Sequence, residues 1–495
     1  MLPVMIWVPA MSAQRRKLTI ALALLLTLTG FTLRFYRLSN QSLWTDEISS
    51  ITTARVPLSQ IMEQSAAVNN CLPTYCLLLR AVVGESNRNI EFRARWLSAL
   101  AGALSVPLLI GVVYLWRGQW AAALLAGLLL AVNPLHLWYS QEVRAYATML
   151  FFGLLTLLAY ELARLSRKPW WWVVYFLSAL GAVALHKTGL IFPAACALWH
   201  GWEVLREKRR IRELTVPAAT LAVALGVLLL KSYPPPPDYG RPSSLLEIPY
   251  TFMTFVGGYS FGPSLADIQS HGALGAVSRN LVQVGVLGGV LALLALAYVL
   301  HFASLIRGKE TTLLLVNVGF VALAALITAF PYNIRYTLPA LLAFVALVAV
   351  LITGARRPAL PRLSVTGVLL VGLWADAQWF YSPAYRKGDS RAVAQWLVDN
   401  QAHVRSWTVL PDYLSLSIEW YLQGHPEILS GLRPPTGPQT TSFPPVPNVL
   451  IIGRRHHIRE PDKLIAAYQA RAGEVRTNLS IAGFELYCPT RGGER

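Results

Sequence analysis

Apolar residues run in blocks along this chain, and polar residues gather in short gaps between them. Blocks of roughly 15–23 residues recur, close to the ~20 that a helix needs to cross a bilayer. The pattern predicts membrane spans near 18–35, 97–115, 120–137, 146–163, 171–185, 189–204, 215–231, 281–303, 311–330, 337–353 and 364–380, about eleven in all. The gap between the fifth and sixth is only His186-Lys187-Thr188. Past residue 381 the blocks stop. Asp389 to Val398 has helical periodicity, while Val446–Ile452 and Phe484–Tyr487 read as short strands. The expected fold is mostly α: a polytopic helix bundle over 1–380 with a long first outer loop, 36–96, and a small mixed α/β domain over 381–495.

Composition sharpens this picture. Of 495 residues, 55% are hydrophobic and 14% charged, whereas a soluble domain carries about 25% charged residues. A net charge of +18 could point to nucleic acid. The placement of the charges argues against that reading: Arg15-Arg16-Lys17, Arg164/Arg167/Lys168, Arg206/Lys208/Arg209/Arg210/Arg212, Arg307/Lys309 and Arg356/Arg357/Arg362 all border apolar blocks. Basic residues in short loops mark the cytoplasmic side. The first block follows Arg15-Arg16-Lys17 without a small-residue cleavage site, so it reads as an uncleaved signal anchor with its N-terminus inside. The loops 36–96, 138–145, 186–188, 232–280 and 331–336 then face outward, as does the tail. The first loop suits short amphipathic helices at the membrane surface.

The four cysteines include no zinc-spaced pair. Cys196 reads as a packed thiol, while Cys71, Cys76 and Cys488 fall on the outer side, where a disulfide is chemically permitted. Four proline residues at 234–237 favour a stiff extended stretch, either a spacer or part of an acceptor site.

Four polar clusters project to the predicted outer face. Asp46-Glu47 follows Trp44, a residue type that prefers the membrane interface. The pair reads either as solvated acids near Arg34, Arg37 or Arg55, or as carboxylates at headgroup depth that deprotonate an acceptor hydroxyl. His136-Leu137-Trp138-Tyr139-Ser140-Gln141-Glu142-Val143-Arg144-Ala145-Tyr146 is a polar, aromatic knot between two apolar blocks. There Arg144 either meets a phosphate or pairs with Glu142 at the surface. His186-Lys187 is costly to leave in lipid and so belongs at a cavity or an interfacial turn. Arg335-Tyr336 sits at the mouth of a late span, at phosphate depth or snorkelling to the headgroups. Together they offer carboxylates for a hydroxyl nucleophile and cations for a phosphate leaving group.

These residues, in this order, resemble the polyprenyl-phosphate-sugar glycosyltransferases of the GT-C fold, and most nearly the dolichyl-phosphate-mannose–protein mannosyltransferase-like group. The resemblance rests on Trp44-Thr45-Asp46-Glu47, on Phe92 to Leu100, on Tyr139-Ser140-Gln141-Glu142-x-Arg144-x-Tyr146, on His186 with Gly189, and on Arg335-Tyr336-Thr337-Leu338-Pro339; it covers about 40–380. It implies sugar transfer from a polyprenyl phosphate to a hydroxyl acceptor at the outer face of the lipid bilayer. Asp46 would be the base and Glu47 its neighbour. Arg144, Lys187 and Arg335 would hold the donor phosphate, with His136, Tyr139, Gln141, Glu142, Tyr146, His186 and Tyr336 lining the cavity. One stretch departs from the pattern: Asn69-Asn70-Cys71-Leu72-Pro73-Thr74-Tyr75 keeps only Pro73 and Tyr75 of a His-Pro-Pro-Leu-Tyr-like element. A divalent metal, which relatives can bind through that element, therefore stays open. Two other readings share the composition: a transporter or flippase, which expects inverted repeats and polar groups at mid-membrane, and a non-catalytic scaffold.

Overall fold

The computed structural model describes residues 12–69, 73–166, 168–207, 214–229, 247–328, 332–354, 358–433, 447–453, 458, 460–472, 475–481 and 483–489. The proline run at 234–237, the Pro-rich stretch before Pro447, Cys71 and the basic residues at 167, 356, 357 and within 208–212 lie outside them. The chain is mostly helical, and its residues divide into two compact units. The first holds Met1–Leu38, Thr53–Tyr259 and Gly285–Asp376, and the second holds Ser39–Thr52, Ser260–Val284 and Ala377–Arg495.

In the first unit, helices lie over the apolar blocks. Six helices among the described residues are long and apolar enough to cross a membrane: Ala13–Phe35, Ile90–Arg117, Tyr146–Ser166, Leu281–Leu300, Ile334–Thr353 and Ala359–Tyr381. The segment expected as one span over 120–137 is a pair, Trp120–Ala131 and Pro134–Ser140, bent by 58°. The break follows from Asn133-Pro134: proline cannot donate into a continuing helix, and the Asn133 side chain accepts from the His136 amide to cap the second half. Trp170–Leu185 and Thr215–Leu229 are shorter apolar helices. In the first loop, helices form at Ile61–Asn69 and Thr74–Val83. Helix Tyr146–Ser166 packs against both Trp170–Leu185 and Ile90–Arg117, and Ala13–Phe35 packs against Ile90–Arg117.

The second unit is built on a four-stranded sheet of Trp407–Leu410 (β1), Val449–Gly453 (β2), Val475–Ile481 (β3) and Phe484–Pro489 (β4), in the order β1-β2-β4-β3. β1 and β2 are parallel, while β4 is antiparallel to both β2 and β3. Alternation sends Trp407, Val409, Val449, Ile451, Phe484 and Leu486 to one face, against Val393 and Leu397 of the helix Ser390–Asp399. Leu410, Leu450, Ile452 and Tyr487 go to the other face, against Leu464, Ile465 and Tyr468. Asp389 caps the helix Ser390–Asp399 by accepting from the Ala392 amide at 3.1 Å. Two of the strands escape a reading by hydrophobic runs: β1 is only four residues long, and β3 is interrupted by polar residues.

Candidate active site

Three turns meet at one end of the first unit. In the first, the Arg144 amide donates to the Glu142 carbonyl at 2.8 Å, and the Arg144 carbonyl accepts from Ser98 Oγ at 3.1 Å. Ser98 Oγ is also 3.1 Å from the Tyr75 hydroxyl. The tyrosine retained in the departing stretch therefore supports the Arg144 turn. Glu142 is buried, so it is not the surface carboxylate of a simple ion pair. In the second turn, the Thr188 amide donates to His186 Nδ1 at 3.3 Å, which places the imidazole proton on Nε2. The third turn is held by Asn333, whose side chain accepts from the Arg335 amide at 3.1 Å. It is held also by buried Asn317, which donates to the Tyr336 carbonyl at 3.2 Å and accepts from the Ala340 amide at 2.8 Å.

His186 gathers these turns. Its ring lies edge-on to Tyr146 at 5.2 Å and stacks on Tyr336 at 6.0 Å. Burial, followed by the charges of Arg335, Arg144 and Lys187, pushes the imidazole down to about 3. All three cations expected to hold a phosphate thus act on one neutral side chain. Arg335 also lies over the Tyr336 ring at 5.6 Å. Tyr139 extends the aromatic wall: its ring is 5.0 Å from Tyr146, and its hydroxyl is 3.0 Å from that of Tyr259. Burial pushes the Tyr259 phenol up, and Glu142 adds to the shift while Arg335 opposes it. The structure therefore brings together Arg144, Lys187, Arg335, His186, Tyr336, Tyr146, Tyr139 and Glu142.

The opposite end of the same helices is closed by ion pairs. Lys309 Nζ is 2.6 Å from Glu161, Arg164 pairs with Glu203, and Arg117 pairs with Glu310. Trp116 and Trp199 donate to Glu161 and Glu203 at 3.2 and 2.8 Å. Arg164 and Lys309, expected as loop cations, are engaged with carboxylates.

His136 and Gln141 belong to a different cluster. Arg34 is fully buried; its Nη1 donates to the carbonyls of Gly30 and Ala131 at 3.1 and 3.0 Å. Its Nη2 donates to Leu130 O at 2.9 Å and lies 2.8 Å from His136 Nδ1. Arg34 thereby satisfies carbonyls exposed by the helix break. Gln141 Nε2 donates to the carbonyls of Leu33, Arg34 and Tyr36 at 3.3, 3.1 and 2.9 Å, closing the end of the helix Ala13–Phe35. Buried Asp376 interacts electrostatically with Arg34. Arg34 and Asp376 could have been found as ionisable residues inside apolar blocks.

Asp46 and Glu47 belong to the second unit. They occupy the first turn of the helix Thr45–Arg55, where the helix dipole favours carboxylates. Glu47 is fully buried, and its Oε2 accepts from the Trp44 amide at 3.3 Å, the reciprocal half of a capping box. Lys387 Nζ stands 3.9 Å from the same oxygen and 5.2 Å over the Trp44 ring. Asp46 is half-buried. No group of three His, Cys, Asp or Glu able to hold a metal occurs among the described residues. Cys196 and Cys488 are unpaired thiols.

Residues 84–228 match the family model of dolichyl-phosphate-mannose-protein mannosyltransferase. The chain thus resembles the polyprenyl-phosphate-sugar glycosyltransferases by family model as well as by motif, and the match indicates glycosyltransferase activity in a membrane protein. Comparison with curated proteins finds no match. Among solved structures the chain is similar to ArnT from Cupriavidus metallidurans bound to undecaprenyl phosphate, at 12% identity over 97% of this chain and 99% of that one, with a TM-score of 0.47. It is also similar to the oligosaccharyltransferase AglB from Archaeoglobus fulgidus in complex with an inhibitory peptide and a dolichol-phosphate, at 12% identity over 98% and 75% of the two chains, with a TM-score of 0.49.

Proposed function

We propose that this chain is an integral membrane glycosyltransferase of GT-C type that moves a sugar from a polyprenyl-phosphate donor to a hydroxyl acceptor. The observation that carries the reading is the convergence of Arg335, Arg144 and Lys187 on His186. Three cations act on one neutral imidazole, at an end walled by aromatic rings and suited to a phosphate and the sugar attached to it. The family matched over 84–228 uses a dolichyl-phosphate donor by its description, which supports the same donor class here.

In the proposed reaction the bond from the anomeric carbon to the phosphate oxygen breaks, and the acceptor oxygen bonds to that carbon. The acceptor proton passes to Asp46, and the released phosphate keeps the electron pair. Arg144, Lys187 and Arg335 stabilise the charge that develops on the phosphate, each charge-assisted contact contributing about 1.5–3 kcal/mol. Glu47, one residue along the same helical turn, supports Asp46. In this reading the domain division falls near residue 380, about eleven spans cross the bilayer, and the N-terminus is cytoplasmic with the tail outside.

The test is transfer of labelled sugar from a polyprenyl phosphate by membranes carrying the wild-type chain, Asp46→Asn or Arg335→Ala. Asp46→Asn should abolish transfer, and Arg335→Ala should raise the donor KM by roughly 10–100-fold. Equal transfer by wild type and Asp46→Asn would refute the assignment of the base. Label crossing the bilayer without transfer would favour a transporter.

A further inference from the structure

We propose that Lys387 is a positioning residue for the acid pair, acting through Glu47. The inference rests on the reading of Asp46 as the base. The sequence offers no hint of it, because Lys387 lies some 340 positions along the chain from Glu47.

The segment around Lys387 is stitched to the segment before the acid pair at several points. The Lys387 amide donates to Gln41 Oε1 at 3.1 Å, and Ser42 Oγ donates to the Gly388 carbonyl at 3.1 Å. The Leu43 amide donates to the Tyr421 hydroxyl at 2.7 Å, and Thr45 Oγ1 donates to the Tyr413 carbonyl at 3.4 Å. Leu43 and Ile48 are fully buried on either side. The Lys387 side chain is 8% exposed and that of Glu47 0%. The ammonium is thus delivered by a fixed backbone into a dry site, between a carboxylate and an indole face.

A buried carboxylate costs much free energy unless a counter-charge and hydrogen bonds accompany it. Glu47 has both: the Lys387 ammonium and the Trp44 amide share its Oε2. The carboxylate so held closes the first helical turn over Trp44, and Asp46 hangs from that turn. With Lys387 neutralised, Glu47 loses this counter-charge, and the turn bearing Asp46 shifts with it. A displacement of about 1 Å at a reacting group can lower a rate about 100-fold.

The experiment uses the full chain in membranes, with labelled polyprenyl-phosphate sugar and a hydroxyl acceptor. Wild type is compared with Lys387→Met, Lys387→Arg, Glu47→Gln and the double variant Lys387→Met/Glu47→Gln, with an unfolding midpoint for each. The expected result is a kcat lowered roughly 10–100-fold in Lys387→Met, with donor KM changed less than about twofold and most of the rate restored by arginine. The double variant loses no more than the worse single one, because both residues act through one contact. If methionine prevents folding, Lys387→Gln removes the charge, keeps a donor and carries the same expectation. Unchanged kcat in the neutral variants, or losses that multiply in the double variant, overturns the proposal. A wild type that transfers nothing sinks the proposed function and this inference together; a wild type that transfers while Lys387→Met equals it sinks this inference alone.

Discussion

Replacing Arg34 by methionine keeps the length of the side chain and removes its charge and donors. The loss is large because Arg34 is fully buried and serves several groups at once. It caps Leu130 and Ala131 at the helix break, contacts His136 Nδ1, and is the counter-charge acting on Asp376. Leu130 O retains a weak bond from the Asn133 amide at 3.3 Å, so Ala131 O is the more exposed to the change. Neither carboxylate oxygen of Asp376 has a hydrogen-bond partner among the described residues. Leaving a buried acceptor without its donor costs about 1–3 kcal/mol, and Arg34→Met does this to several acceptors at once, against a total stability of about 5–15 kcal/mol. Arg34→Met should therefore destabilise the protein by about 2–5 kcal/mol in reversible unfolding titrations in detergent. Arg34→Met/Asp376→Leu should lose less than the sum of the two single variants, because the two groups interact electrostatically. A loss under about 1 kcal/mol in the single variant, or additive losses in the double, would refute the reasoning.

Two further outcomes follow from the His186 turn. The imidazole sits at about 3 in the folded protein and near 6.5 when unfolded, so between those values the unfolded chain binds more protons. This contribution is present above pH 6.5 and lost as pH falls toward 3; His186→Gln should flatten the acid side of the stability profile, and an unchanged slope would count against the burial of the ring. Gly189 has no room for a methyl group, because a Cβ would lie 2.2 Å from the Ala182 carbonyl oxygen. Gly189→Ala should cost about 1–3 kcal/mol and lower sugar transfer by shifting Lys187, whereas full stability and activity would show that the turn yields freely.

Much of the membrane part was legible because a bilayer demands long apolar blocks whatever their partners. The motifs were legible too, as polar residues crowded between such blocks. The break within 120–137 had a local signal in Asn133-Pro134, yet hydropathy averaged it away. β1 was missed because a four-residue run is too short a signal, and β3 because polar residues interrupt its apolar ones.

What the sequence determined by itself was composition, the apolar periodicity and the residue types that can bind phosphate or move a proton. The tertiary structure decided which of them act together. It joined Arg144, Lys187 and Arg335 around His186 across nearly 200 positions. It assigned His136 and Gln141 to the supports of Arg34, and it gave Glu47 a lysine from the tail. The physical reason is that electrostatic and hydrogen-bond energies depend on distances of a few ångströms and on the local dielectric. Spacing along a chain sets neither of these until the backbone has folded.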